Sequence, residues 1–485
     1  MRLQSRCTKH GGRSGFPGAC DHRWVRGVPS ESYAQPFLAS SSQPMTDRLP
    51  LRQSIGLFRA TSMVVGIIIG ASIFVQPSAI TAQVPTVGGV LLVWTVAGAL
   101  TLIGSLVVAE LSSAWPRTGG VYVWLNEAYS PVVGFLWGWA MFWTMHSGII
   151  AAIATIFARY VGAFVALNDA GTKVVAVAAV CVLSAVNYRG IQHGTAVQAV
   201  LTVIKVLAIL LIIAVGVSVG THLGDVSTVR NAAPVTVSGF FAALIAGLFA
   251  YGGWHMVSYS AEETRDPTRT IPRALLIGTL LVTVLYVAVN AAYMSVLPLD
   301  VVRNSSRVAA DFADVAVGGS GRELMAVLVM LSTLGAANGV ILAGPRVYLA
   351  MSRDGVLFRW LGEVHPQFRT PHRAIVVQAL WSSILVATGS YRVLFTRVVY
   401  TEWIFFGLLA ASLFMLRRRS DYKPAYRVLG YPVLPLLFVL SSAAIVVNQI
   451  WTQPRESATG LLLVLAGLPA YYLWAQPRHQ PGART

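Results

Sequence analysis

The chain has 485 residues, of which 55% are apolar and only 11% charged, with a mean hydropathy of +0.65. Soluble domains carry about 25% charged residues, so this composition cannot clothe a globule of this size in polar groups, and its solvent must be lipid. The 36 Lys and Arg against 19 Asp and Glu give a net charge of +17, which would suggest nucleic acid in a soluble protein but here depends on where the charges fall.

Residues 1–52 hold eight Lys/Arg, three Asp/Glu and many Ser, Gly and Pro, with no apolar stretch of signal-peptide length. They read as a disordered tail, unable to bury enough surface to offset ordering. Met45, just before the first apolar run, is a second candidate start. Cys7, Cys20 and Cys181 are too few and too scattered for a disulfide framework or a metal-ligand set. No metal or cofactor is expected.

Beyond the tail, apolar runs alternate with short polar connectors. A bilayer core of about 30 Å needs about 20 helical residues. Runs of that kind lie at 55–81, 86–113, 131–166, 174–190, 194–219, 236–260, 271–297, 322–352, 373–390, 394–416, 431–451 and 457–475. That predicts an all-α membrane protein with twelve spans, over 53–475, followed by a short tail at 476–485. The runs at 131–166 and 322–352 are long enough to require tilt or projection. Twelve spans place both termini on one side, where 25 basic residues fall against 8 on the other. The positive-inside rule assigns that side to the cytoplasm.

Backbone that is not helical survives in a membrane only where it lines a cavity or is buried in protein. The first run contains Gly66, Gly70, Ala71 and Ser72, followed by Gln76-Pro77; the sixth contains Gly247, Gly252 and Gly253. Small residues near the middle of corresponding runs in two halves point to paired broken helices around a midplane substrate site. Amides at such breaks suit a carboxylate, and carbonyls suit an ammonium or a cation. The alternative is close helix packing by small residues.

Four motifs then carry a resemblance. GIIIGASIFVQP at 66–77, PRTGGVYVWLNEAYSP at 116–131, GLFAYGGWHMVSYSAEETRDPTRTIPRAL at 247–275 and LGAANGVILAGPRVYLAMSRDG at 334–355 follow one another in order. They resemble the amino acid–polyamine–organocation superfamily, most closely its L-type amino acid transporter branch. The resemblance implies a LeuT-like fold: inverted repeats over about 55–219 and 236–416, broken helices 1 and 6, and two peripheral helices at 431–475. It implies that the substrate carboxylate meets amides at Gly70, Ala71 and Ser72, next to Ile73. The ammonium would meet carbonyls near Ile68 and from Phe249 through Ala250 and Tyr251 to Gly252. Phe249 matches an aromatic gate, and Trp254 a packing position. Relatives commonly carry Gly where this chain has Ser72, which favours a substrate with a small side chain or a shifted carboxylate.

Lys205 lies among apolar neighbours, where insertion costs about 2.5–3.5 kcal/mol; snorkelling to the interface is the bland alternative. By resemblance its ammonium replaces the sodium ion of coupled relatives, bridging helices 1 and 8 and making transport sodium-independent. His146 and His255 could line the pocket or be structural, and Asn338 could partner helix 1. Glu110, Arg117, Glu262, Glu263, Arg265, Arg353 and Asp354 read as solvated helix ends in preference to a gate.

A membrane enzyme would want clustered acids in its spans, and a channel would want polar rings; neither pattern is present. The function expected is secondary active transport of small neutral amino acids across the cytoplasmic membrane by alternating access. The alternatives are a cationic amino acid or polyamine antiporter and a membrane-embedded amino-acid sensor. In eukaryotic relatives a cysteine after helix 3 holds a glycoprotein subunit, but residues 164–173 have none, so no disulfide-linked heavy chain is expected. The partners are the amino acid and the bilayer, for a monomer or weak homo-oligomer without nucleic acid.

Overall fold

The structure, a computed structural model, describes residues 49–220, 235–305, 307–319, 321–389 and 391–474, with the side chains of residue 322 and of 391–399 excepted. Residues 1–48 with Cys7, Cys20 and Met45, and the C-terminal tail 476–485, lie outside the described residues. Helices α1 (Leu57–Ile68) and α2 (Ser72–Gln83) form one span, bent by 45° at residues 69–71. Then come α3 (Val87–Ala114), the short α4 (Val121–Ala128), and α5 (Pro131–Ala140) and α6 (His146–Val161), which are joined by a π-helical turn at Met141–Met145. α7 (Asp169–Tyr188) and α8 (Ile191–Val219) complete the first half. α9 (Val237–Ala250) breaks and continues as a 3-10 helix at Trp254–Glu263.

After it run α10 (Pro267–Val296), the short α11 (Leu299–Asn304) and α12 (Val308–Val317), α13 (Gly321–Arg353), a 3-10 turn at Arg359–Gly362, and α14 (His372–Thr388). α15 (Tyr391–Leu416), α16 (Val433–Thr452), and the interrupted pair α17 (Pro454–Leu465) and α18 (Gly467–Trp474) close the chain. Among the described residues nine segments are long and apolar enough to cross a bilayer, and the bent α1–α2 pair makes a tenth. The two further crossings expected from sequence fall on α14, with 17 residues, and on α15, whose apolar part is Tyr400–Leu416.

Local chemistry sets the helix starts. Thr86, Ser130, Asn168 and Thr236 each accept the amide three residues on, at Gly89, Val133, Gly171 and Gly239. These are N-caps that satisfy otherwise orphaned donors. Pro131 follows its cap at the first helical position, where its missing N–H is harmless.

The broken spans pair half with half. α2 packs on α9, and α11 and α12 cover α2; α1 packs on the 3-10 segment at 254–263. The extended residues before α1 strap this second pairing, since the Ser54 and Ile55 amides donate to the Glu263 carbonyl at 2.9 and 3.0 Å. The amide of Arg265 returns a bond to the Ile55 carbonyl at 2.9 Å. Around these halves lie α6, α7, α13 and α14, in mutual contact.

Candidate functional site

The breaks bring backbone and named side chains together. α2 starts at Ser72 with no side chain capping it; the Phe74 amide turns back to the Ala71 carbonyl at 3.1 Å, and the amides of Ser72 and Ile73 precede the intrahelical ladder. Ser72 is half-buried, Ala71 and Gly70 are buried, and the Ile73 side chain points into the core. Gly253 forms the second break at φ +95°, and a Cβ there would sit 2.3 Å from Ile67 Cγ2 of α1. Only glycine meets both conditions. Gly252 is exposed, Phe249 is 36% exposed, and Ala250 and Tyr251 are buried.

The carbonyls freed at the end of α1 are taken by three side chains from three other helices. Lys205 on α8, 3% exposed, donates from Nζ to the Gly66 carbonyl at 2.8 Å and the Ile69 carbonyl at 2.7 Å. Ser332 on α13 donates to Ile69 and Gly70 carbonyls at 3.3 and 3.1 Å. A Cβ on Gly335 of α13 would come within 2.8 Å of both Lys205 Cε and Nζ, so the lysine stem runs against bare backbone. The ammonium thus lies at the negative end of α1 and against α13. It does not snorkel.

Tyr286 on α10 is the residue that sequence reasoning missed. Its hydroxyl reaches the Ile68 carbonyl at 3.0 Å and the Ala250 carbonyl at 3.3 Å, tying the two breaks together. Its ring packs with Trp94 and Tyr251 at centroid distances of 5.3 and 5.0 Å, and the Tyr251 hydroxyl donates to the Trp94 carbonyl at 3.2 Å. Two of the carbonyls expected to meet an ammonium, those of Ile68 and Ala250, are therefore already engaged by a neutral donor. A third, on Phe249, accepts the Gly252 amide at 3.1 Å. Replacing Tyr286 with Phe removes the one O–H that these two buried carbonyls share, at about 1–3 kcal/mol. We expect a lower melting temperature in detergent and a raised KM for substrate; unchanged values of both would remove Tyr286 from the site.

The other expected pocket residues lie elsewhere. Asn338 is not a partner of α1: it accepts from Asn187 Nδ2 at 2.9 Å and donates to the Gly194 carbonyl and Gln198 Oε1 at 3.0 and 2.9 Å. It locks α13 to α7 and α8, because a buried amide takes the nearest complementary groups it finds. His146 and His255 are both fully buried, and no ring nitrogen of either has a hydrogen-bond partner among the described residues. Each ring lies near Tyr259, at 6.5 and 5.5 Å between centroids. Trp254 packs against Phe406 and the Gly104 backbone, as a packing residue should.

Of the charges read as solvated helix ends, Glu110 and Glu263 need correction, while Arg117 and Arg265 are exposed. Glu263 is fully buried and paired with buried Arg346 through two bonds of 2.6 and 2.9 Å. Glu110 is fully buried and accepts from Arg417 at 2.8 and 2.5 Å, from the Tyr422 hydroxyl at 3.1 Å and from the Val428 amide at 2.6 Å. In the connector after α15, these bonds raise the Arg417 pKa. Burial, then the Glu110 charge, raises that of the Tyr422 phenol, so it remains a neutral donor. Arg117 pairs with Glu127 at 2.9 Å, and Arg353 with Glu262 at 2.8 Å. Tyr122 donates to Asp354 at 2.9 Å. Together they link the connector after α3 to α4, the 254–263 segment and the end of α13.

An apolar cavity of about 220 Å³ opens elsewhere, lined by Phe135, Trp139, Trp143, Met351, Phe358 and Trp474 among others. Its lining of aromatic and aliphatic side chains includes neither helix break, so it is separate from the site at the breaks.

The sequence profile of the amino acid permease family matches residues 55–472. The chain is 32% identical over 426 residues to the serine/threonine exchanger SteT of Bacillus subtilis (strain 168), covering 87% of this chain and 97% of that one. It is 30% identical over 440 residues to the human large neutral amino acids transporter small subunit 2, covering 89% and 82%. It is 31% identical over 457 residues to the human b(0,+)-type amino acid transporter 1, covering 91% and 93%. A helical membrane protein with two broken spans, matched over nearly its full length, is a permease. The chain belongs to the amino acid permease family, whose members are named as transporters and not as enzymes.

Proposed function

We propose that this protein is a sodium-independent secondary transporter of small neutral amino acids, an exchanger or symporter working by alternating access. The observation that carries the reading is Lys205, whose ammonium occupies the carbonyls at the end of α1 where a coupling cation would otherwise bind. Two breaks joined by Tyr286, with uncapped amides at α2, support a zwitterion held between them. The relatives' printed substrates, serine and threonine for one and large neutral amino acids for another, fall in the neutral class.

In this reading the chain is a twelve-span, LeuT-like pair of inverted repeats in the cytoplasmic membrane, with both termini in the cytoplasm. The ion pairs around Glu262, Glu127 and Asp354 then close the cytoplasmic side. The α1–α2 and α9 spans rock against the helices α6, α7, α13 and α14. A heavy-chain partner linked through the connector after α6 is not required, since 162–168 has no thiol. The cationic or polyamine alternative would have to draw on Glu402 of α15, whose carboxylate is already opposed to His255.

Proteoliposomes loaded with unlabelled amino acid test the proposal. We expect uptake of labelled serine, threonine or alanine to be stimulated by internal amino acid and unchanged when sodium is replaced by choline. Uptake abolished by that replacement would overturn the role given to Lys205. Arginine and putrescine uptake without serine uptake would favour the cationic alternative, and no movement of any substrate would favour a sensor. Ser72 makes a further prediction. Its hydroxymethyl group stands where substrate backbone approaches α2, so Ser72→Gly should admit larger side chains, with leucine and methionine becoming competitors of serine uptake. A competition profile equal to that of the native protein would show that Ser72 does not set the size limit.

A further inference from the structure

Just beyond the second break the protein buries ionisable groups that the substrate site does not use. The His255 ring is fully buried and walled by aromatic rings of Trp137, Trp254, Tyr259 and Phe406, at centroid distances of 6.0, 5.4, 5.5 and 4.9 Å. Neither of its nitrogens has a hydrogen-bond partner among the described residues. Facing it from α15 is Glu402, with Oε1 4.0 Å from His255 Nε2 and the side chain only 14% exposed.

Other ionisable groups surround the pair. His146 of α6 is within electrostatic reach of His255, and Tyr259 lies between the two histidines. Tyr348 of α13 buries a hydroxyl without a hydrogen-bond partner among the described residues, and the Tyr259 hydroxyl is buried beside Trp137. The remaining charged and titratable groups on elements packed against the 254–263 segment are engaged elsewhere. Arg346 of α13 holds Glu263, Glu110 of α3 holds Arg417, Tyr286 of α10 holds the break carbonyls, and Tyr122 of α4 holds Asp354. His255 and Glu402 are left facing each other in an apolar enclosure.

We propose that His255 and Glu402 form a proton-binding site that carries one proton through the transport cycle, making the transporter a proton-coupled one. The proposal rests on the transport reading above and names its coupling ion. The proton adds to a carboxylate oxygen of Glu402 or to the lone pair of a His255 ring nitrogen, and nothing is oxidised or reduced. With one proton the pair is neutral overall wherever the proton sits, so it titrates as a unit. Without it a lone carboxylate is left largely buried among apolar side chains, which is strongly disfavoured. The two side chains belong to different moving parts, one to the broken span and one to α15. A gap of 4.0 Å is closed by a small shift or by one bridging water. Proton occupancy therefore favours the packing of the 254–263 segment against α15, and loss of the proton favours their separation and access of water. That is a population shift between two conformations, driven by differential proton affinity.

The test uses the full-length protein in proteoliposomes, L-[3H]serine as probe, and a membrane potential clamped to zero. One pH unit, acid outside, supports up to about tenfold accumulation of a zwitterion carried with one proton. The native protein is expected to accumulate serine towards that limit. Glu402→Gln is expected to lose accumulation above equilibration while retaining serine–serine counterflow. Infrared difference spectra between acid and alkaline buffer provide a readout independent of transport. The native protein should show a titrating carboxylic-acid C=O band that is absent in Glu402→Gln and shifted in pH midpoint by His255→Gln. If Glu402→Gln does not reconstitute, His255→Gln read in both assays takes its place, with gradient-driven accumulation expected to be lost. Equal accumulation by native and Glu402→Gln protein, or spectra that do not differ between them, would overturn the site. A titrating band without movement of any amino acid would instead sink the transport reading and leave a proton site without a cargo.

Discussion

Replacing Lys205 with methionine is expected to reduce amino acid uptake by on the order of tenfold or more while changing thermal stability much less. The two effects separate because opposing terms act on stability. Two bonds from a charged donor to the Gly66 and Ile69 carbonyls are lost, at about 1.5–3 kcal/mol each. The insertion penalty of a buried lysine, about 2.5–3.5 kcal/mol, is removed with them. Ser332 still reaches the Ile69 carbonyl at 3.3 Å, which softens the loss further. The net change in stability is therefore small. Function has no such compensation, since Lys205 holds the end of α1 in register with α8 and α13, and a bias of about 1.4 kcal/mol between two transporter conformations already shifts their ratio tenfold. Lys205→Arg is not a conservative control, because the bare backbone of Gly335 leaves no room for a planar fork. Uptake rates in proteoliposomes, beside melting curves in detergent, check both halves of the expectation. Uptake within twofold of native would show that the ammonium is structural decoration.

The reach of the sequence is instructive at the level of single residues. Both breaks were readable, since glycine clusters inside otherwise apolar runs have few explanations in a membrane. Lys205 was readable because a charge among Val, Leu and Ile must find a partner; its partners turned out to be backbone carbonyls. Tyr286 was not, because an aromatic hydroxyl in an apolar helix looks like any packing residue until the helices are assembled. Glu402 is illegible for a similar reason: it sits near the start of an apolar run, and its partner His255 belongs to a segment distant in sequence. Glu110 and Glu263 stood at helix ends beside basic residues and read as solvated. Their actual partners lie far along the chain, Arg417 in the connector after α15 and Arg346 in α13. The π turn at Met141–Met145 and the 3-10 segment after Gly253 leave no periodic signature, so the helix types were invisible although the spans were not.

Arg346→Met is expected to be among the most destabilising single substitutions in the protein, by about 3–5 kcal/mol. Arg346 Nε and Nη2 grip the two oxygens of Glu263 at 2.6 and 2.9 Å, with both side chains out of contact with solvent. Nη1 donates to the Leu342 carbonyl as well. Removing the guanidinium strands a buried carboxylate, and that desolvated charge, more than the lost attraction, dominates the loss. The companion variant Arg346→Met with Glu263→Gln should therefore recover much of the stability, because no net charge is left behind. Melting curves of the two singles and the double, read as a double-mutant cycle, measure the coupling directly. The pair also joins α13 to the segment whose Glu263 carbonyl holds the Ser54 and Ile55 amides. The rescued double variant should thus be stable yet loosened on the face where α1 begins, and its amino acid exchange should differ from native even where its melting temperature does not. A double variant as unstable as Arg346→Met alone would mean that the bond to Leu342 and the packing of the arginine stem, not the buried charge, carry the effect.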